Sequence, residues 1–127
     1  MKIAVTILAA GGSTRMGDLN KLLLLIDDKP IIYSVCRMVL DARVNQIILV
    51  TGYQNNEVEK SIPKGINKIV YNRNWESGMM NSIHAGMSRL EKDIDGNMIV
   101  LGDMPLINTM TINKIIRKFN KYNGNHI

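Results

Sequence analysis

The chain has 127 residues, with 16 Lys and Arg against 11 Asp and Glu, a formal net charge of +5, 46% hydrophobic residues and a single cysteine. That length fits one domain over residues 1–127 and buries roughly two thirds of the surface that the unfolded chain exposes, so no second domain is needed. One cysteine excludes a disulfide framework and a Cys-rich metal site, no apolar run approaches the ~18 residues of a membrane span, and no signal-peptide pattern opens the chain, all of which points to a cytoplasmic protein with no membrane partner.

The positive balance suits anionic ligands such as phosphates. No block of five or more Lys and Arg occurs, so an ordinary solvated basic surface is equally compatible, and no nucleic acid polymer is expected as a partner.

Ile3 to Leu8 is a short run rich in β-branched residues, which predicts a buried strand. It runs straight into LAAGGSTRMG at Leu8 to Gly17. This loop lacks both the GK[ST] ending of a P-loop and the GxGxxG spacing of a dinucleotide fingerprint. What remains is a set of small residues whose backbone N–H groups can face an anion, with Arg15 and then Lys21 available for phosphate charge. Taken alone, the same residues also suit a tight surface turn. Asp28-Lys29-Pro30 then opens the first long helix, with Ile32, Val35, Cys36 and Val39 on one stripe. Cys36 on that stripe reads as a small core residue.

Ile47 to Val50 and Ile69 to Tyr71 predict two further strands, the first leading into Thr51-Gly52-Tyr53 and the second into NRNWESGMMNSIHAGM at Asn72 to Met87. Trp75, the sole tryptophan, is compatible there with a half-buried anchor. A helix is expected around Gly78 to Lys92, with Ile83, Met87 and Leu90 on one side, Gly86 allowing a close approach, and most of the methionines packed. Met98 to Leu101 predicts the fourth strand. It ends in LGDMP, where Asp103 follows a buried run directly: such a carboxylate can hold Mg²⁺, and it can equally cap a helix or shape a turn. Beyond Pro105, Asn108 or Thr109 caps a last helix with Ile112, Ile115, Ile116 and Phe119 toward the core and Gly124 as its stop. His126-Ile127 reads as the first step of a further strand. Strands alternating with helical segments predict an α/β fold with a mainly parallel sheet, which puts the loops after Leu8, Val50, Tyr71 and Leu101 on one edge.

Together, LAAGGSTRMG with Lys21, NRNW..GM..S..AG and LGDMP resemble the molybdenum cofactor cytidylyltransferases, within the MobA-like superfamily of nucleotidyltransferases that also includes sugar-nucleotide pyrophosphorylases. The resemblance runs from Ile3 to about Phe119. It implies a Rossmann-like three-layer sandwich and a Mg²⁺-dependent reaction joining CTP to a molybdopterin-type cofactor with release of pyrophosphate. It also implies roles: Leu8, Ala9, Ala10, Gly11 and Gly12 offer backbone to the nucleotide, Arg15 and Lys21 neutralise the triphosphate, and Asp103 ligates the metal. Thr51, Gly52, Gly78, Met79 and Ser82 would lie beside the base, the ribose or the second substrate. Ala10 separates this loop from the LAGG form of the guanylyltransferases, which favours CTP over GTP.

Two departures stand out. Relatives often carry arginine where this chain has His84, a helix histidine that reads as structural, so the acceptor can differ from molybdopterin. Family members also continue beyond this length, their later strands carrying a second metal ligand and a wall of the acceptor pocket. The chain is therefore expected to lack the family's C-terminal portion, leaving a sheet edge for an oligomer or a missing segment to cover. The competing readings are a related nucleotidylyltransferase using GTP or another acceptor such as a sugar phosphate, a nucleotide-binding module without catalysis, and a plain α/β interaction domain.

Overall fold

The computed structural model describes residues 1–11, 20–104 and 108–125, the last three as backbone only. The expected positions Gly12, Arg15 and Pro105 and the strand expected to start at His126 lie outside these residues. In chain order the elements are β1 (Ile3–Ala9), β2 (Leu25–Ile26), β3 (Lys29–Pro30), α1 (Ile31–Leu40), β4 (Gln46–Thr51), α2 (Asn55–Lys60), β5 (Lys68–Tyr71), α3 (Met79–Met87), β6 (Gly96–Leu101) and α4 (Thr109–Asn125). Single 3-10 turns at Lys21–Leu23 and Trp75–Ser77 interrupt the loops.

β1, β4, β5 and β6 form one parallel sheet in the order β5-β4-β1-β6. β1 and β4 are buried throughout, as strands covered on both faces must be. Successive side chains alternate between two cores. Val5, Ile7, Ala9, Ile47 and Leu49 meet Ile32, Val35, Cys36 and Val39 of α1, Val58 of α2, and Ile112 and Ile116 of α4. Leu8, Ile48 and Val50 point the other way, toward Ile83 and Leu90. The expected α/β sandwich is therefore present, with three helices on one face and α3 on the other. Gly86 makes the close approach expected of it, because a Cβ there would meet Thr6 Cγ2 at 2.8 Å and Val50 Cγ2 at 3.0 Å.

At the amino edge of the sheet, register is set by one recurring device. The residue before each incoming strand is Asn or Asp, and its side chain accepts the N–H of a residue on the adjacent strand. Asn45 accepts from Ile3 at 2.7 Å, Asn67 from Ile47 at 2.7 Å and Asp95 from Lys2 at 2.8 Å. In each pair a backbone bond returns from the Asx residue's own N–H to the partner's carbonyl. Two bonds per pair satisfy groups that parallel pairing leaves open at a strand's start and fix the strand lengthwise.

Several expectations are corrected. Asp28-Lys29-Pro30 does not lie within the first helix: Leu25–Pro30 forms a two-residue hairpin with Asp27 and Asp28 at φ 52° and 67°, and the helix starts at Ile31. α3 stops at Met87 instead of Lys92, because Glu91 is drawn to β4 by Gln46, whose side-chain oxygen accepts from Glu91 N at 3.2 Å. Met79, Met80 and Met87 are exposed instead of packed; small Ser82 and Gly86 are the residues that α3 buries. Ile115 is likewise exposed, and α4 continues through Gly124 to Asn125. Among the described residues β5 and β6 are the sheet's edges, with Ile69 and Ile99 both partly open to water. No helix of the described residues is long and apolar enough to cross a membrane.

Cys36 is fully enclosed by the α1 core, and burial pushes its thiol up from 9.0 to about 12. The native thiol keeps its proton where the unfolded one loses it. Stability is therefore expected to be undiminished by this group below pH 9 and to fall as pH rises from about 9 to about 12. A thiol reagent at pH 8 should label the folded protein no faster than the protein unfolds, with labelling complete in denaturant.

Candidate functional site

A cleft of about 540 Å³ opens at the carboxyl edge of the sheet. It lies over the ends of β1 and β6, where the chain order reverses across the sheet and ligands of open α/β sheets bind. Leu8, Ala9, Ala10 and Gly11 form its floor, Lys21 one rim, Asp103 another, and Trp75 to Ser82 the facing wall.

Each wall is held by backbone chemistry. Leu8 O accepts from Gly102 N at 2.8 Å, which ties the turn carrying Asp103 to the end of β1. Ala10 O accepts from Tyr53 N at 3.0 Å, tying the loop after β4 to the same exit. Asn20 caps the turn bearing Lys21 by accepting from Leu22 N at 3.0 Å, and its amide reaches Tyr53 O at 3.4 Å. Lys21 and Asp103 are both exposed, as charges that meet a mobile ligand should be. A Cβ built on Gly11 or on Gly78 would meet no atom of the described residues within 4 Å.

Nine expected residues thus converge on one cleft: Leu8, Ala9, Ala10, Gly11, Lys21, Gly78, Met79, Ser82 and Asp103. Thr51 and Gly52, also expected beside the nucleotide, are not among its lining residues. Thr51 is buried at the end of β4, its hydroxyl without a partner among the described residues. Gly52 is a seat: a Cβ there would meet Ala10 O at 2.5 Å and Trp75 Cβ at 2.6 Å. Trp75 packs on Gly52 and tilts at 50° against Tyr53, ring centroids 5.4 Å apart, while also facing the cleft. It is therefore anchor and wall at once. His84 is exposed on α3 and does not line the cleft.

Sequence reasoning did not select Asn20, Leu22, Trp75, Glu76 or Leu101 as lining residues. A capping asparagine ahead of Lys21 and an aromatic in a polar loop were the available signals for two of them; nothing local marks Glu76. Among the described residues no cluster of three potential metal ligands exists. The lining of the cleft includes two exposed carboxylates, Asp103 and Glu76. That set suits Mg²⁺, which takes one or two carboxylates and fills its shell with water and substrate phosphates.

Fold and cleft together define a Rossmann-like α/β protein with its ligand site at the carboxyl edge of a parallel sheet. More particularly, the chain belongs to the family of MobA-like NTP transferase domains, which it matches over residues 5–126. It is 32% identical over 121 residues to a 2-C-methyl-D-erythritol 4-phosphate cytidylyltransferase of Lachnoclostridium phytofermentans, covering 91% of this chain and 51% of that protein. It is 33% identical over 118 residues to a probable molybdenum cofactor guanylyltransferase of Thermococcus sibiricus, covering 92% and 56% respectively. A nucleotidyl transferase from Methanothermobacter superposes with a TM-score of 0.81 at 27% identity, over 91% of this chain and 57% of that one. The chain spans about half the length of these relatives.

Replacing Gly52 with alanine forces Trp75 or the Ala10 carbonyl to shift, since backbone and a ring root cannot both be avoided. The expected loss is roughly 1–3 kcal/mol in urea unfolding, with a shifted Trp75 emission maximum. An unchanged midpoint and spectrum would refute the seating role.

Proposed function

We propose that this chain carries the nucleotide-binding and transfer groups of a nucleotidylyltransferase that joins CTP to a small phosphorylated acceptor of molybdopterin type and releases pyrophosphate. The observation that carries this reading is the convergence of the Leu8–Gly11 loop, Lys21 and Asp103 on one cleft. Family membership supports the class of reaction.

In this reading the backbone of Ala9 to Gly11 receives the nucleotide at the floor of the cleft. Lys21 reaches in from a turn whose position Asn20 fixes, and its ammonium offsets the charge that develops on the departing pyrophosphate. An acceptor phosphate oxygen forms the new bond to the α-phosphorus as the bond to the β-phosphate oxygen breaks. That oxygen is ionised at neutral pH, so no general base is needed and positioning carries the catalysis. Asp103, with Glu76 of the same lining, would hold Mg²⁺, whose charge would neutralise and orient phosphate oxygens when bound. Arg15, carried over from the family resemblance, would assist Lys21.

The choice of CTP rests on Ala10 in the loop and on the cytidylyltransferase relative. The guanylyltransferase relative favours a second reading with GTP, and other acceptors, sugar phosphates included, belong to the same reaction class.

Trp75 is the sole tryptophan and lines the cleft, so its fluorescence reports binding directly. Titration with CTP, GTP, UTP and ATP, with and without Mg²⁺, is expected to give the tightest response to CTP with Mg²⁺. At 100 times its Kd the nucleotide should stabilise the fold by about 2.7 kcal/mol. No response to any triphosphate overturns the reading, and a preference for GTP selects the second one.

Two variants locate the charges. Asp103→Asn should remove the Mg²⁺ dependence of CTP affinity without lowering Tm, because the side chain is exposed in a turn. Lys21→Ala should weaken CTP binding several-fold more than CMP binding, since the outer phosphates carry the charge that it offsets. Equal losses for CTP and CMP would move Lys21 away from the triphosphate.

A further inference from the structure

Charge is distributed unevenly along the chain. α4 carries Lys114, Arg117, Lys118 and Lys121 and no Asp or Glu, so four of the five net positive charges of the molecule sit on one helix. The spacing i, i+3, i+4, i+7 puts them on one face, and all four are exposed. The opposite face is the one that enters the core, through Ile112 and Ile116. A fifth exposed cation, Arg43, sits beside the helix, where its N–H donates to Asn113 Oδ1 at 2.7 Å.

Neither of the ordinary reasons for helix cations applies. Lysine and arginine complement the helix dipole in the last turn, and the last turn of α4 has none. Exposed cations also pair with acids one turn away, whereas among the described residues none of these five has an ion-pair partner. Like charges three and four residues apart repel instead, and α4 keeps that repulsion unrelieved.

The same face is not simply polar. Met110 is 80% exposed, Ile115 49% and Tyr122 63%. Met110, Lys114, Arg117 and Lys121 follow at i, i+4, i+7 and i+11, and Ile115, Lys118 and Tyr122 at i, i+3 and i+7, so two adjacent stripes each mix cations with apolar or aromatic side chains. The phosphate backbone of a nucleic acid duplex matches the cations and leaves Met110 and Ile115 in water. An anionic bilayer matches both: lysine and arginine stems lie along the acyl boundary, their charged ends reach lipid phosphates, and apolar side chains enter the boundary itself.

We propose that the outward face of α4 is a docking surface for an anionic lipid bilayer, on which the domain lies peripherally. An exclusion based on span length does not reach such a contact, because no helix has to cross the bilayer. No described residue of α4 lines the cleft, so the lipid contact and the cleft occupy separate places, and the inference is independent of what the cleft binds.

The test is co-sedimentation with vesicles at physiological ionic strength, where weak attraction between exposed charges is screened. One set is pure phosphatidylcholine, the other phosphatidylcholine and phosphatidylglycerol in equal parts. The protein is expected to pellet with the second set only. Lys114→Glu combined with Lys118→Glu should weaken that binding at least about 25-fold, at roughly fivefold for each cation removed from an anionic surface. Ile115→Ser and Met110→Ser should each weaken it several-fold, a loss that attraction of charge alone does not produce. These side chains are exposed, so every variant is expected to keep the parent Tm, and thermal unfolding verifies it. A short RNA duplex serves as the competing polyanion. No binding to the phosphatidylglycerol vesicles, equal binding to both sets, binding unmoved by Ile115→Ser and Met110→Ser, or tighter binding to the duplex than to the vesicles overturns the inference.

Discussion

β1 is sealed on both faces of the sheet and must nevertheless surrender its chain to water at Gly11, and the rest of the molecule is arranged around that exit. A strand at the centre of a parallel sheet has neighbours for its backbone only as far as the sheet extends. Past Leu8, the carbonyls of β1 turn outward and are taken up one by one: Leu8 O by Gly102 N, Ala10 O by Tyr53 N. Those two bonds bring the loops after β6 and β4 to the same point. The cleft is the space left between loops that have all been drawn to the end of one strand, which is why residues far apart in sequence, from Leu8 to Asp103, share it.

The two ends of the sheet are built on opposite principles. At the amino end the reciprocal Asx pairs close every strand start with short bonds, and Lys2 and Asp93 add an exposed ion pair that raises the lysine's pKa and lowers the aspartate's. At the carboxyl end the backbone is small, open and partly held by single bonds. Rigidity at one end allows the other to keep ligand-sized space without losing register.

What the sequence made legible follows from the strength of its periodic signals. Continuous β-branched runs at Ile3 to Leu8 and Ile47 to Val50 became the two fully buried strands, and the stripe through Ile32, Val35, Cys36 and Val39 became the buried face of α1. The cleft's glycines and Asp103 were legible because they interrupt such runs abruptly. The hairpin at Leu25–Pro30 was not: Asp27-Asp28 takes up left-handed backbone without the glycine that usually announces it. Nor was the early end of α3, which a bond to distant Gln46 imposes against local helical periodicity. The methionines of α3 fit a core stripe by spacing, yet the sheet beneath needs Gly86 and Ser82 so close that the larger residues turn outward.

The packing of Trp75 on Gly52 also has a historical side. With the indole in place, every side chain at position 52 collides with its root or with the Ala10 carbonyl, so that position is closed to drift. A smaller residue at 75 does not remove the first obstacle, because the nearest atom is the Cβ that every residue except glycine keeps, and the Ala10 carbonyl remains as well. Divergence along this wall therefore cannot proceed by side-chain replacement alone: the backbone at 75 and the loop after β1 must both move before the glycine can be replaced. A lineage of this domain that carries a side chain at 52 records a past rearrangement of the cleft floor, and the pair of positions serves as a marker of which branch has rebuilt its binding wall.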